Sequence, residues 1–150
     1  MATLEEIRNA ARQRAREMKL PYTGALLPAE AAQMLELEGS AKLVDVRSSA
    51  EWNYVGRIPG AVEIEWKSYP GMVPNPKFAE QLQQKVALDA PLMFICRSGA
   101  RSHDTAVLAN RLGYREVYNV LQGFEGDRDV HGHRNTVGGW RVAGLPWMQS

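Results

Sequence analysis

Residues 91–95 read Pro-Leu-Met-Phe-Ile, an apolar run with no polar position, and it ends on the only cysteine of the chain, Cys96. A strand with one wet face alternates apolar and polar residues, whereas an unbroken run of this length is expected to be buried on both faces. Burial on both faces requires helices above and below, which restricts the fold to an α/β architecture built on a parallel sheet. The flanking sequence keeps the same rhythm. Residues 42–46 (KLVDV), 62–65 and 116–120 read as further short strands. Between them, residues 77–86 place Phe78, Leu82 and Val86 on one helical face, and residues 101–112 turn Ala106, Leu108, Ala109 and Leu112 inward before Gly113.

Two helices are expected ahead of this core. Residues 3–19 carry Thr3 as a cap with Glu6 three positions on, and Leu4, Ile7, Ala11, Ala15 and Met18 form a narrow apolar stripe. The basic residues Arg8, Arg12, Arg14, Arg16 and Lys19 are read as a solvated face. Pro21 and Gly24 break the chain, and a second helix over 28–38 opens on a proline and closes at Gly39.

At 150 residues the chain suits one domain that folds without disulfides or metals. Lys plus Arg number 18 against 17 acidic residues, so no net field draws it to nucleic acid or a membrane surface. A single cysteine cannot form an intramolecular disulfide, and residues 1–19 lack the apolar stretch of a secretion signal; both favour a cytoplasmic setting. His131 and His133 have no cysteine or acidic cluster nearby, so they read as part of a polar loop rather than a metal site. Trp140 and Trp147 read as anchors for the C-terminal segment.

The chemistry concentrates after the apolar run, in Cys96-Arg97-Ser98-Gly99-Ala100-Arg101-Ser102. A strand delivers the cysteine to the C-terminal sheet edge, where open α/β sheets bind ligands, and a short glycine loop turns straight into a helix. The helix N-terminus presents unsatisfied N–H groups that suit an anion, and Arg97 and Arg101 add positive charge. The same field favours the thiolate, which is the nucleophilic form of cysteine. Ser102 is expected to cap the helix with its hydroxyl in reach of the pocket, His103 to lie on the helix surface, and Asp45 and Arg47 to support the loop as an ion pair at the end of their strand.

This segment resembles the active-site loop of rhodanese domains. Residues 43–47 (LVDVR) with Glu51 and Trp52, residues 56–61 (GRIPGA) and residues 119–126 (NVLQGFEG) resemble further motifs of that family, in the family's order. Where many members of that family carry a second glycine, this chain has Phe124. The resemblance spans roughly residues 23–147. It implies a rhodanese-like domain over 23–150, preceded by an N-terminal helical extension over 1–22, with a central sheet of about five parallel strands flanked by helices on both faces. It also implies a sulfurtransferase: Cys96 takes sulfur from a small anionic donor such as thiosulfate or a persulfide, bound by Arg97, Ser98, Gly99, Ala100, Arg101 and Ser102. An external acceptor, a thiol, cyanide or a thioredoxin-like protein, then removes it. No metal or organic cofactor is implied.

Two alternatives use the same loop. A cysteine-dependent phosphatase or arsenate reductase also cradles an oxyanion between Cys and Arg, but protein phosphatases place five residues there and Cys96 and Arg101 enclose four. A non-catalytic rhodanese-like interaction domain would dispense with the cysteine, which is present.

Overall fold

The structure is a computed structural model describing residues 2–149. Met1 and Ser150, the outer bounds of the two expected segments, lie outside the described residues. The elements run α1 (Leu4–Met18), β1 (Gly24–Leu26), α2 (Pro28–Leu37), β2 (Lys42–Asp45), α3 (Ser49–Tyr54), β3 (Val62–Glu63), β4 (Lys67–Ser68), β5 (Val73–Pro74), α4 (Phe78–Lys85), β6 (Leu92–Ile95), α5 (Ala100–Arg111) and β7 (Val117–Val120). Strands β1-β7-β6-β2-β3 form a five-stranded sheet in that order, and every pair in it is parallel. The apolar run is β6, the central strand, and all four of its residues are buried.

Alternation along β6 divides the interior into two layers. Leu92, Phe94 and Cys96 face Phe78 and Leu82 of α4 and Ala106 and Ala109 of α5. Met93 and Ile95 face the other way, toward Ile7 and Ala11 of α1 and Ala31 and Met34 of α2. A strand sandwiched in this way has no position for a polar side chain, which is why the sequence shows none. Each fully buried Leu, Ile, Phe or Met contributes about 1.5–3 kcal/mol of burial free energy.

Helix α1 begins with the expected capping box: Glu6 N–H donates to Thr3 Oγ1 and Thr3 N–H to the Glu6 carboxylate, both at 3.1 Å. Its basic face is less solvated than its charge pattern predicts. Arg8 grips the Glu116 carboxylate at 2.7 and 3.2 Å, and Arg14 grips Glu30 at 2.5 and 3.0 Å. The helix lies so close to β1 and α2 that these long side chains meet carboxylates on neighbouring elements instead of water. The stripe is buried at Ile7, Ala11 and Ala15, while Met18 is exposed.

Four elements were not expected from the pattern: β1, the single-turn-and-a-half helix α3, and strands β4 and β5, which pair as an antiparallel hairpin. The topology places the crevice. From β2 the chain moves outward to β3, and from β6 it moves the opposite way to β7. The loops after β2 and β6 therefore diverge, leaving an opening at their C-terminal ends, the position where such sheets bind ligands. Among the described residues no helix is long and apolar enough to cross a membrane.

Candidate active site

Strand β6 ends by carrying Cys96 to the floor of the opening, where the residue is 1% exposed. The chain then reverses through Arg97 and Ser98 to Gly99, the N-cap of α5, whose φ of 114° is a backbone conformation that side-chain-bearing residues rarely adopt. That geometry returns the Gly99 N–H to the cysteine, donating to Sγ at 3.1 Å. Ser102 lies one turn into the helix. It is fully buried, with Oγ 3.2 Å from Sγ. The cap is thus Gly99 rather than Ser102, because the helix starts three residues earlier than a serine cap would require, and the serine hydroxyl lies beside the sulfur. A small pocket of about 230 Å³ sits over Cys96, walled by Arg97, Ser98, Ala100, Arg101 and, from the hairpin, Lys67 and Met72. Met72, Arg97 and Arg101 also line a larger cleft of about 820 Å³, flanked by the exposed rings of Tyr54 and Tyr69.

The two arginines of the loop differ. Arg97 is exposed and lines both spaces. Arg101 is engaged with Glu51 of α3, its Nη1 and Nη2 donating to the two carboxylate oxygens at 2.6 and 2.9 Å. Glu51 also closes the capping box of α3, accepting from the Ser48 N–H at 3.1 Å. Burial by itself would raise the Glu51 carboxyl, but the Arg101 guanidinium and the Ser48 amide outweigh it and hold the group at about 2. A carboxyl lowered on folding from its ordinary 4.5 stabilises the fold above about pH 4.5, and that contribution is lost as pH falls through about 2. Thermal unfolding of the native chain and of Glu51→Gln, compared across this range, is expected to show a stability gap at neutral pH that closes on acidification. A gap independent of pH would mean that the pair contributes nothing through its charge.

Asp45 and Arg47 are both fully buried beneath the opening. Arg47 Nε and Nη2 donate to the Asp45 carboxylate at 3.0 and 2.7 Å, and Nη2 also donates to the Gly56 carbonyl at 2.8 Å. The Phe124 ring lies against the guanidinium, 4.1 Å from Cζ to centroid. Phe124 therefore covers this buried cation. Gly123 just before it has φ of 63°, and a Cβ there would stand 2.5 Å from the Cys96 carbonyl oxygen and 2.6 Å from Arg97 backbone atoms. Gly123→Ala is therefore expected to push the loop outward and to cost about 2 kcal/mol, read by denaturant unfolding. Unchanged stability would show that the loop yields without cost.

Of the other residues singled out, His103 Nδ1 hydrogen-bonds the Tyr22 hydroxyl at 2.7 Å. His131 and His133 lie in an exposed loop organised by Asp129, which accepts from both of their backbone N–H groups at 2.9 Å. Trp140 is buried and donates to the Pro146 carbonyl at 2.8 Å, fastening the C-terminal segment. Residues 67–76, whose prolines and glycines mark the stretch as a candidate pocket wall in the sequence, supply Lys67 and Met72 to the pocket. Sequence reasoning missed Asn119, whose signal is an amide inside a wholly buried strand.

A family model for the rhodanese-like domain matches residues 27–128. The chain belongs to that family. A solved structure of Rv0390 from M. tuberculosis is 40% identical, with a TM-score of 0.79, covering 86% of this chain and 99% of that one. An uncharacterised protein of Rickettsia prowazekii is 34% identical over 121 residues, 79% of this chain and 92% of its own length. The thiosulfate sulfurtransferase GlpE of Tolumonas auensis is 29% identical over 108 residues, covering 72% and 91% respectively. The rhodanese-like match begins at residue 27, downstream of α1, although the buried side of that helix packs into the same core.

Proposed function

We propose that this rhodanese-like chain is a sulfurtransferase in which Cys96 carries sulfane sulfur as a persulfide. The observation that carries the reading is a nucleophilic sulfur at the floor of a small cationic pocket, with the Gly99 N–H already donating to it at 3.1 Å. In the first half-reaction the Cys96 thiolate attacks the outer sulfur of thiosulfate. The new Cys–S bond forms as the S–S bond of the donor breaks, and sulfite leaves with the electron pair. In the second, an acceptor nucleophile attacks the terminal sulfur and the Cys96 thiolate is the leaving group. A thiol acceptor gives a new persulfide and cyanide gives thiocyanate. This is the only cysteine in the chain, so the acceptor is a separate nucleophile.

The pocket's N–H donors and cations serve both steps, stabilising the departing oxyanion and then the persulfide anion. Ser98, Gly99, Ala100 and Ser102 supply the walls and donors around the transferred sulfur. Arg97 is the exposed cation for the sulfonate end of the donor, while Arg101, held by Glu51, fixes the loop against α3. Arg97→Ala is accordingly expected to raise KM for thiosulfate on the order of 10-fold with little change in kcat, the loss of one charge-assisted hydrogen bond. Equal KM for both proteins would remove Arg97 from donor recognition.

The reading itself is tested by the initial rate of thiocyanate formation from thiosulfate and cyanide, set beside hydrolysis of an aryl phosphate. Sulfur transfer without phosphate hydrolysis is expected, since four residues between Cys96 and Arg101 leave a smaller ring of donors than phosphate needs. Cys96-dependent phosphate hydrolysis without sulfur transfer would replace this reading with the phosphatase one.

A further inference from the structure

Asn119 reaches the site from β7, a strand that contributes nothing else to it, and is almost fully buried. Its amide is held at both ends. Nδ2 donates to the Gly99 carbonyl at 3.1 Å, and Oδ1 accepts from Ser102 Oγ at 2.6 Å. A carbonyl can only accept, so Gly99 fixes which end of the amide faces the serine. A serine hydroxyl has one hydrogen, and here it is committed to Asn119. Toward Cys96 Sγ, 3.2 Å away, Ser102 therefore presents a lone pair. A lone pair suits a neutral thiol, whose S–H can donate to it, and opposes a thiolate or persulfide, which can only accept.

We propose that Asn119 is a positioning residue that controls the ionisation of Cys96 through Ser102. While the sulfur is a thiol, Asn119 holds the Ser102 hydrogen. When the thiol proton departs to solvent, the hydroxyl rotates about its Cβ–Oγ bond and donates to the charged sulfur instead. Asn119 thus competes with the sulfur for one hydrogen bond and sets how readily the anion forms. Tyr22 lies against the same amide, with its hydroxyl bonded to His103. The charged groups facing the sulfur are Arg97 of the loop, Arg101 of α5 and Lys67 of β4, with Glu51 and Asp45 behind Arg101. Substitution at Asn119 leaves all of them in place, so an effect that requires Ser102 cannot come from them.

This inference rests on Cys96 being the reactive sulfur, but its test uses no sulfur donor. The rate of Cys96 alkylation by iodoacetamide is followed across pH for the native chain, Asn119→Leu, Ser102→Ala and the double variant. Asn119→Leu, which removes Oδ1 at similar volume, is expected to move the midpoint of the profile to lower pH by about one unit, a roughly tenfold change in ionisation. Ser102→Ala is expected to move it upward, and the double variant to match Ser102→Ala. A shift from Asn119→Leu that is the same with and without Ser102, or no shift at all, overturns the proposal. Should Asn119→Leu fail to fold, Asn119→Asp replaces it. Its carboxylate holds the Ser102 hydrogen more firmly, so its upward shift must shrink when Ser102→Ala is added, and a shift of unchanged size overturns the proposal. Loss of sulfur transfer with the alkylation coupling intact would instead sink the sulfurtransferase reading and leave this one standing.

Discussion

Replacing Cys96 by serine is expected to lower sulfur transfer on the order of 10⁴-fold or more while leaving the fold intact. The size of the effect follows from the chemistry. A hydroxyl in the same place is a poor nucleophile toward sulfur, and the oxygen–sulfur bond it would make is a poor store for a transferable atom. The preservation of the fold follows from the geometry. The Gly99 N–H at 3.1 Å and the Ser102 hydroxyl at 3.2 Å can each bond an oxygen as well as a sulfur, so no buried donor is stranded. The residue is nearly the same size, and the surrounding layer of Val44, Phe94 and Ala106 loses no methylene. Initial rates with thiosulfate and cyanide, set beside the thermal midpoint, check both halves. A variant that keeps the native rate would mean that Cys96 is a packing residue at a strand end.

Arg47→Met is expected to be the most destabilising single change near the site, at about 3–5 kcal/mol, because it leaves the buried Asp45 carboxylate without its partner. In a chain of this size that corresponds to a fall in Tm of roughly 6–20 °C. Both members of the pair are fully buried, so water cannot take over the lost contacts. The substitution also strips a donor from the Gly56 carbonyl and the cation from beneath the Phe124 ring. The pair need not be a net gain over an apolar equivalent, since one guanidinium nitrogen, Nη1, has no hydrogen-bond partner among the described residues. Asp45→Leu combined with Arg47→Met is therefore expected to recover much of the loss. A single variant within about 1 kcal/mol of native would show that the carboxylate is protonated or solvated on substitution at little cost.

Much of the architecture was legible because burial leaves its mark on composition. The apolar run at 91–95 declared a strand covered on both sides, and the period of Phe78 and Leu82 declared a helix over it. The elements that escaped notice are short. Strand β1 is three residues of Gly-Ala-Leu, too brief for a period, and α3 carries one buried residue, Trp52, so it has no apolar stripe. Strands β4 and β5 have two residues each, too few for an alternation to show, although the prolines and glycines of residues 67–76 mark that stretch as a candidate pocket wall.

At the site, the loop was legible because a cysteine, a glycine and two arginines stand in sequence at the junction of a strand and a helix. The difference between the arginines was not. Arg97 and Arg101 are alike as letters, and only the fold brings Glu51, fifty residues away, against one of them. The same holds for Asn119, whose amide reaches Ser102 and Gly99 from a neighbouring strand. Sequence order reveals which groups share a loop; contacts between elements decide which of those groups are free to act.

Sulfur retention on Cys96 tests the central claim most directly. The native chain and Cys96→Ser are each incubated with thiosulfate, freed of small molecules and weighed intact. The native chain is predicted to gain the mass of one sulfur atom and to lose it on addition of cyanide, with thiocyanate released in equal amount, while Cys96→Ser gains nothing. A native chain that retains no sulfur, or a Cys96→Ser chain that retains as much, would contradict the account.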